Sequence, residues 1–151
     1  MATEIEYKFL VDHEKWKTLM KPEPQLIVQG FLSKNEKLVV RVRIMGNHGF
    51  LTIKGKTDGI RRSEFEYEIP VNDAEEMIRL FTDKHIRKQR YIIHEHGKDW
   101  EVDVFEGKLS GLILAELEVN SETEDFIRPD WITTDVSRDP QYYNAVLIDR
   151  C

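Results

Sequence analysis

Cysteine is almost absent from this chain of 151 residues, in which Cys151, at the last position, is the only one. A lone thiol forms no intrachain disulfide, and it has no partner cysteines with which to build a zinc site. The start of the chain, Met-Ala-Thr-Glu, also lacks the basic and apolar regions of a signal peptide. We therefore expect a reduced, cytoplasmic setting.

Long apolar runs are missing as well. No stretch approaches the roughly 18–20 apolar residues that a membrane-spanning helix needs, so we expect no membrane association. The chain has no glycine- or serine-rich linker, which favours one domain over residues 1–151. The 22 Lys and Arg against 28 Asp and Glu give a net formal charge of −6. Because an acidic chain does not attract DNA or RNA by its overall field, we expect no nucleic-acid partner.

Charged and apolar residues alternate along much of the chain, a pattern that predicts β-strands. Strands are predicted over residues 3–10, 26–33, 37–45, 50–56, 61–69, 87–95, 99–105 and 113–120. Helical periodicity predicts three helices, with starts at Asp12, at Asn72 or Asp73, and at Pro140. Short turns join most strands, so the sheet should be mainly antiparallel. Eight such strands commonly close, and the predicted α+β fold is an eight-stranded antiparallel β-barrel with a few covering helices.

One face of the predicted sheet carries most of the charge, because side chains two residues apart on a strand point the same way. The acidic members are Glu4, Glu6, Glu64, Glu66, Glu68, Glu101, Asp103, Glu116 and Glu118. The basic members are Lys8, Arg41, Arg43, Lys54, Lys56, Arg62, Lys88 and Arg90. Nine acids against eight bases leave this face nearly neutral, whereas the opposite face is apolar, with Phe9, Val42 and Trp100 among its residues.

The charged face has two alternative positions. Antiparallel sheets often expose one polar face, and these charges would then serve solubility alone. If the amphipathic helices cover the apolar face from outside, the charges line the barrel interior instead. Sorting by sign favours the interior, since Arg41 and Arg43 share one strand and Glu116 and Glu118 another, whereas a soluble surface usually mixes signs. Basic strands of this kind suit phosphate oxygens, and paired carboxylates suit Mg²⁺ or Mn²⁺.

The segment Glu4-x-Glu6-x-Lys8 resembles the N-terminal signature of the CYTH superfamily, the triphosphate tunnel metalloenzymes. Further motifs of the family follow in order: Arg41-x-Arg43, Thr52-Ile53-Lys54, Arg62-x-Glu64-x-Glu66, Lys88-x-Arg90, Glu101-x-Asp103-x-Phe105 and Glu116-x-Glu118. The tail, with Asp135-Val136-Ser137 and Tyr142-Tyr143-Asn144, is similar to the closing segment of the family. The resemblance extends over nearly the whole chain.

The resemblance implies a tunnel that binds triphosphate together with a divalent metal, Mg²⁺ or Mn²⁺. The implied phosphate-binding residues are Lys8, Arg41, Arg43, Lys54, Arg62, Lys88 and Arg90. The implied metal ligands are Glu4, Glu6, Asp103, Glu116 and Glu118, and Glu64 and Glu66 would form a supporting acidic wall.

The expected catalytic residues are Lys88, Glu6 and Glu118. By the resemblance, water is activated either by a lysine at the position of Lys88 or by a metal ion whose bound water is oriented by glutamates. We favour the metal route, since a lysine acts as a base only when its pKa falls strongly.

The short chain most resembles the bacterial inorganic triphosphatases, so the expected reaction is hydrolysis of tripolyphosphate to pyrophosphate and phosphate. A class IV adenylate cyclase, a thiamine triphosphatase, or a non-catalytic binder of polyphosphate or nucleotides are the alternatives, and shared phosphate chemistry does not decide among them. The sequence offers no clear pocket for an organic group, since Trp100 lies on the apolar face and Trp16 on a predicted helix. This favours a small inorganic polyphosphate as the substrate. The sequence is also compatible with a homodimer.

Overall fold

Eight antiparallel strands close into a barrel in the computed structural model, which describes residues 2–151. They are β1 (Thr3–Val11), β2 (Gln25–Lys34), β3 (Leu38–Met45), β4 (His48–Gly55), β5 (Arg61–Ile69), β6 (Ile86–Glu95), β7 (Lys98–Phe105) and β8 (Ile113–Glu118). Their order around the barrel is β1-β5-β4-β3-β2-β6-β7-β8, and β8 pairs again with β1. The ring closes where residues 3–5 of β1 pair with residues 61–63 of β5. The predicted eight-stranded antiparallel barrel is therefore confirmed.

A ninth strand, β9 (Ile132–Asp135), was not predicted from the sequence. It pairs with β1 at Phe9 and Val11, beyond the residues that pair with β5. Its four residues are too few to show an alternating pattern, so only the pairing identifies it. The strand lies beside the ring and leads the chain towards one end of the barrel.

The first two helices lie close to their predicted positions. Helix α1 (His13–Thr18) begins after Asp12, whose carboxylate accepts a hydrogen bond from Lys15 N at 3.0 Å, as a predicted N-cap should. Helix α2 (Val71–Phe81) has Pro70 at its N-cap position, two or three residues before the predicted cap at Asn72 or Asp73. Within residues 2–151, no helix combines the length and the apolar character needed to cross a membrane.

The single closing helix predicted after Pro140 is wrong. The chain instead forms a 3₁₀ turn over Pro140–Tyr142, helix α3 (Asn144–Leu147) and a second 3₁₀ turn over Ile148–Arg150. Tyr143 interrupts the helix with an extended backbone, φ −72° and ψ 135°. The carbonyl of Tyr142, which a continuous helix would use internally, accepts a hydrogen bond from Lys8 Nζ at 3.1 Å. A contact with the barrel thus replaces a helical hydrogen bond.

The apolar face of the barrel points outwards and is covered in part by other elements, whereas Phe65 and Tyr67 on β5 stay exposed. On one side, Phe9 and Trp100 pack with Trp131 and with Trp16 of α1 in a shared aromatic cluster. On the other side, α2 packs on β2, β3 and β4. Its approach is so close that a Cβ at Gly49 would lie 2.9 Å from the Cβ of Ala74. Because the apolar side chains point outwards, the charged face of the strands turns inwards.

A second apolar cluster holds the C-terminal segment, which we define as residues 136–151, against one end of the barrel. Val136, Leu147 and Ile148 pack there on Phe105 and Leu114. Lys34, the last residue of β2, also donates a hydrogen bond to the carbonyl of Ala145 at 2.8 Å. The segment therefore partly covers the end of the barrel at which β2 and β7 end.

We expect Trp100→Ala to lower the free energy of unfolding by about 3–5 kcal/mol, because it empties a fully buried indole site in the aromatic cluster. Urea unfolding followed by circular dichroism measures the loss. Phe81→Ala is the control, since Phe81 is 65% exposed and should change the stability by no more than about 0.5 kcal/mol. A loss of similar size in both variants would contradict the packing described here.

Candidate active site

The barrel encloses a cavity of about 310 Å³ that is lined by side chains from all eight strands. All eight bases of the predicted charged face line it, together with seven of the nine acids: Glu4, Glu6, Glu64, Glu66, Glu101, Glu116 and Glu118. Of the other two acids, Asp103 is fully buried behind the wall and Glu68 is exposed. The structure therefore brings the sequence-predicted residues together in one interior space.

The strand order sorts these charges into two arcs of the wall. Neighbouring strands β4, β3, β2 and β6 form a basic arc with Lys54, Arg41, Arg43, Lys88 and Arg90. Neighbouring strands β7, β8, β1 and β5 form a mainly acidic arc with Glu101, Glu116, Glu118, Glu4, Glu6, Glu64 and Glu66. Lys8 and Arg62 are the two bases on the acidic arc. One side of the cavity thus suits anions and the other suits cations.

Three carboxylates on the acidic arc crowd together. Glu6, Glu101 and Glu116 each place one oxygen within 4.8 Å of the others. Burial raises the pKa of Glu6 well above its usual value, and the charges of Glu116 and Glu4 raise it further. Glu6 forms no ion pair with a base in residues 2–151. Glu101 and Glu116 each have one base within ion-pair distance, so the three crowded carboxylates share few positive charges. Such a set of hard oxygen donors fits a divalent cation such as Mg²⁺ or Mn²⁺.

Glu118 lies next to this cluster, because it is the direct neighbour of Glu6 across the β1–β8 pairing. Burial raises the pKa of its carboxyl, with Glu4 and Glu101 adding to the effect. It lines the same cavity but is not one of the three carboxylates whose oxygens lie within 4.8 Å of one another.

The remaining two expected metal ligands are engaged with bases. Glu4 Oε2 lies 3.0 Å from Lys54 Nζ and 3.5 Å from Arg62 Nε. Burial alone would raise the pKa of Glu4, but these two cations hold it below its usual value. Asp103 is likewise bound by two cations, which outweigh its burial and lower its pKa to about 2. Of the expected metal ligands, Glu6 and Glu116 therefore lie in the carboxylate cluster, whereas Glu4 and Asp103 are held by bases. The third member of the cluster is Glu101.

Lys88 and Arg90 hold Asp103 between them. Lys88 Nζ lies 2.7 Å from Asp103 Oδ2, and Arg90 donates from Nε and Nη2 to the two Asp103 oxygens at 2.8 and 2.9 Å. Burial nevertheless lowers the pKa of Lys88 to about 7, with Arg90 and Arg43 adding to the effect. Lys88 can therefore hold or release a proton near neutral pH, as a general base must.

Two arginines of the basic arc are incompletely paired. Arg43 has no carboxylate within ion-pair distance among residues 2–151, and burial, with Arg41 and Arg90 nearby, lowers its pKa to about 9. Arg41 contacts Thr52 Oγ1 at 3.2 Å and Glu66 Oε2 at 3.5 Å, whereas its buried Nε has no hydrogen-bond partner. Buried guanidinium groups without anions are costly, so these two mark a place for an anionic ligand.

The supporting acidic residues and Lys8 complete the wall. Glu64 Oε2 lies 3.1 Å from Lys54 Nζ, and Glu66 accepts a hydrogen bond from Thr52 Oγ1 at 2.9 Å. Lys8 Nζ lies 3.8 Å from Glu116 Oε1 and reaches the C-terminal segment. These contacts fix the side chains around the cavity.

Comparison with known proteins agrees with this geometry. The family model described as the CYTH domain matches residues 2–150. The chain belongs to the CYTH domain family. It is 42% identical over 149 residues to the inorganic triphosphatase of Acetivibrio thermocellus, a match that covers 98% of this chain and 94% of that protein.

Two further relatives of this CYTH domain carry the same description. The inorganic triphosphatase of Nitrosomonas europaea is 34% identical over 153 residues, with 96% of each chain covered. A crystal structure of an inorganic triphosphatase superposes with a TM-score of 0.68 at 33% identity, covering 98% of this chain and 95% of the other. The barrel thus has a solved counterpart at 33% sequence identity.

Three residues in or behind the wall of the CYTH cavity were not predicted as site residues from the sequence. Glu101 was part of a quoted motif, and its place in the carboxylate cluster depends on pairing between β7 and β8. Asn144 was noted only as part of the tail, and it reaches the cavity because the C-terminal segment folds over the barrel. Gln29 carries no charge and gave no signal among the apolar residues of β2, although it is fully buried in the basic arc.

The same substitution at two arginines of this CYTH domain should change the free energy of unfolding by different amounts. Arg90→Met removes the cation between Asp103 and Glu101, so we expect the free energy of unfolding to fall by about 3 kcal/mol. Arg43→Met removes a buried charge that no carboxylate compensates, so we expect no loss of stability. Urea unfolding in buffer without phosphate or divalent metal compares the two, and an equal loss would show that Arg43 is paired in solution.

Proposed function

We propose that this protein is a divalent-metal-dependent hydrolase that cuts inorganic tripolyphosphate to pyrophosphate and phosphate. One observation carries the proposal: a single cavity holds two incompletely paired arginines on one arc and three crowded carboxylates on the other, of which Glu6 has no ion pair. A polyphosphate supplies the missing anion and a divalent cation supplies the missing positive charge. Either ligand alone would leave one arc unbalanced.

The charges of the wall suit both ligands at once. The cavity is lined by eight basic and eight acidic side chains, so the protein contributes almost no net charge to it. Arg41 and Arg43 can bind phosphate oxygens with paired N–H groups, which gives orientation as well as attraction. Lys54 and Arg62, which are held by Glu4, extend the same basic surface across the barrel.

The chemistry needs a water molecule at a terminal phosphorus and a stabilised leaving group. Glu6, Glu101 and Glu116 would hold the metal ion, with Glu118 and Glu4 beside them, and the bound ion would supply Lewis-acid activation. The arginines stabilise the negative charge that grows on the departing pyrophosphate when the P–O bond breaks. Lys88 can take up the proton released by the attacking water.

The inorganic substrate is favoured by the lining and by the relatives. Phe31 and Tyr143 are the aromatic residues of the described lining, which offers no stacked pair for an organic base. The two curated relatives, at 42% and 34% identity, are both inorganic triphosphatases. The cytoplasmic location, the homodimer, the absence of a nucleic-acid partner and the single domain over residues 1–151 stay predictions from the sequence.

Substrate preference is tested by phosphate release from tripolyphosphate, ATP and thiamine triphosphate. We expect tripolyphosphate to be cleaved fastest with Mg²⁺ or Mn²⁺, and EDTA to abolish turnover until excess metal is added, because the carboxylate cluster needs its cation. Conversion of ATP to cyclic AMP without cleavage of tripolyphosphate would show a cyclase instead. Tight calorimetric binding without phosphate release at any pH would show a non-catalytic binder.

Glu6→Gln should reduce metal-dependent turnover by at least about 100-fold, because an amide replaces a charged oxygen ligand in the cluster. The matched control is Glu68→Gln, since Glu68 is an exposed member of the same predicted face that lies outside the cavity lining. We expect this control to retain wild-type turnover. Equal activity of Glu6→Gln and wild type, with both folded by circular dichroism, would exclude Glu6 as a ligand.

A further inference from the structure

Two uncharged amides, one behind the cavity wall and one in it, connect the basic arc to the C-terminal segment. Gln29 projects from β2, in the middle of that arc, and is fully buried. Asn144 is the first residue of α3 and lines the cavity. Gln29 Nε2 lies 2.9 Å from Asn144 Oδ1, although the two residues are 115 positions apart in the sequence.

Each amide also binds one cation of the basic arc. Arg43 Nε donates to Gln29 Oε1 at 2.9 Å, and Lys88 Nζ donates to Asn144 Oδ1 at 3.0 Å. Arginine and charged lysine have donors only, so both amide oxygens must face the cations. Gln29 then has only its Nε2 group to offer Asn144. The direction of every hydrogen bond in the chain is therefore fixed: Arg43 donates to Gln29, and both Gln29 and Lys88 donate to Asn144 Oδ1.

Neutral acceptors have a specific advantage at these positions. Arg43 makes no ion pair within residues 2–151, so Gln29 orients its guanidinium without cancelling its charge. With Nε held, both Nη groups stay available for phosphate oxygens. Lys88 already contacts Asp103 at 2.7 Å, and Asn144 gives it a second acceptor without adding another negative charge. A carboxylate in either place would compete with the phosphates of the substrate.

We propose that Gln29 and Asn144 are positioning residues that hold Arg43 and Lys88 in the orientation that binds the phosphate groups of the substrate. This proposal rests on the proposed function, since it takes polyphosphate as the ligand of the cavity. It makes the C-terminal segment part of the binding site, because Asn144 reaches Lys88 only when α3 lies over the end of the barrel.

The test uses Gln29→Met, Asn144→Leu and the double variant in the full chain. Both replacements are similar in size to the natural residue and remove its hydrogen bonds. The matched control is Lys34→Met, which removes exposed contacts to the Ala145 carbonyl at 2.8 Å and to Asp149 Oδ1 at 2.6 Å but leaves in place the apolar cluster that holds α3. The measured quantities are kcat and KM for tripolyphosphate at saturating Mg²⁺.

We expect each single variant to raise KM about tenfold, the usual effect of losing one hydrogen bond to a charged group. In Gln29→Met, kcat should change by less than about threefold, because Arg43 binds phosphate before and during the reaction. The double variant should raise KM by less than the product of the two single effects, since either substitution already removes the Gln29–Asn144 hydrogen bond that supports the other amide. Lys34→Met should keep the wild-type KM.

Three results would overturn the positioning role: an unchanged KM in Gln29→Met, additive effects in the double variant, or a lower kcat at unchanged KM. The last is the signature of a smaller folded fraction, which a merely structural role would give. If wild type cleaves no tripolyphosphate, the proposed function fails, and calorimetric Kd values for tripolyphosphate replace KM. Equal Kd values in all variants, or no binding by wild type, would then overturn this proposal too.

Discussion

A buried charge is tolerated only when opposite charges or hydrogen-bonding partners surround it, and the structure of this barrel depends on that constraint. Asp103 is fully buried and holds both Lys88 and Arg90, while Glu4 holds Lys54 from across the barrel. Arg90 and Asp103 are direct partners in the β6–β7 register. The ion-pair network therefore depends on closure of the ring, since the strand register decides which charged side chains meet.

The places where this pairing is incomplete are the places where function is expected. Within the described chain, Arg43 forms no ion pair with a carboxylate, and Glu6 forms none with a base. Both have the pKa shifts of charges that are buried without sufficient compensation. A polyphosphate would compensate the charge of Arg43, and its metal ion would compensate that of Glu6, so the two ligands together would complete the charge pairing of the site.

The C-terminal segment links the stability of the barrel to its cavity. Leu147 and Ile148 pack in the apolar cluster at one end, whereas Asn144, a few residues earlier, reaches Lys88 and Gln29 inside. The extended residue Tyr143 allows both, because it ends the 3₁₀ turn before α3 begins. Folding of this segment and assembly of the basic arc are thereby coupled.

Alternation with period two was enough to predict the strands and the residues that share the charged face, because side-chain direction follows from local backbone geometry. Alternation could not place that face inside, nor reveal β9 or the interrupted closing helix, which depend on contacts with the barrel. Gln29 carries no charge, so no pattern marked it. The sequence alone determined which charges lie together on each strand. Only the tertiary structure decided that Glu4 and Asp103 are paired while Glu6 and Arg43 are not, because those partners come from different strands.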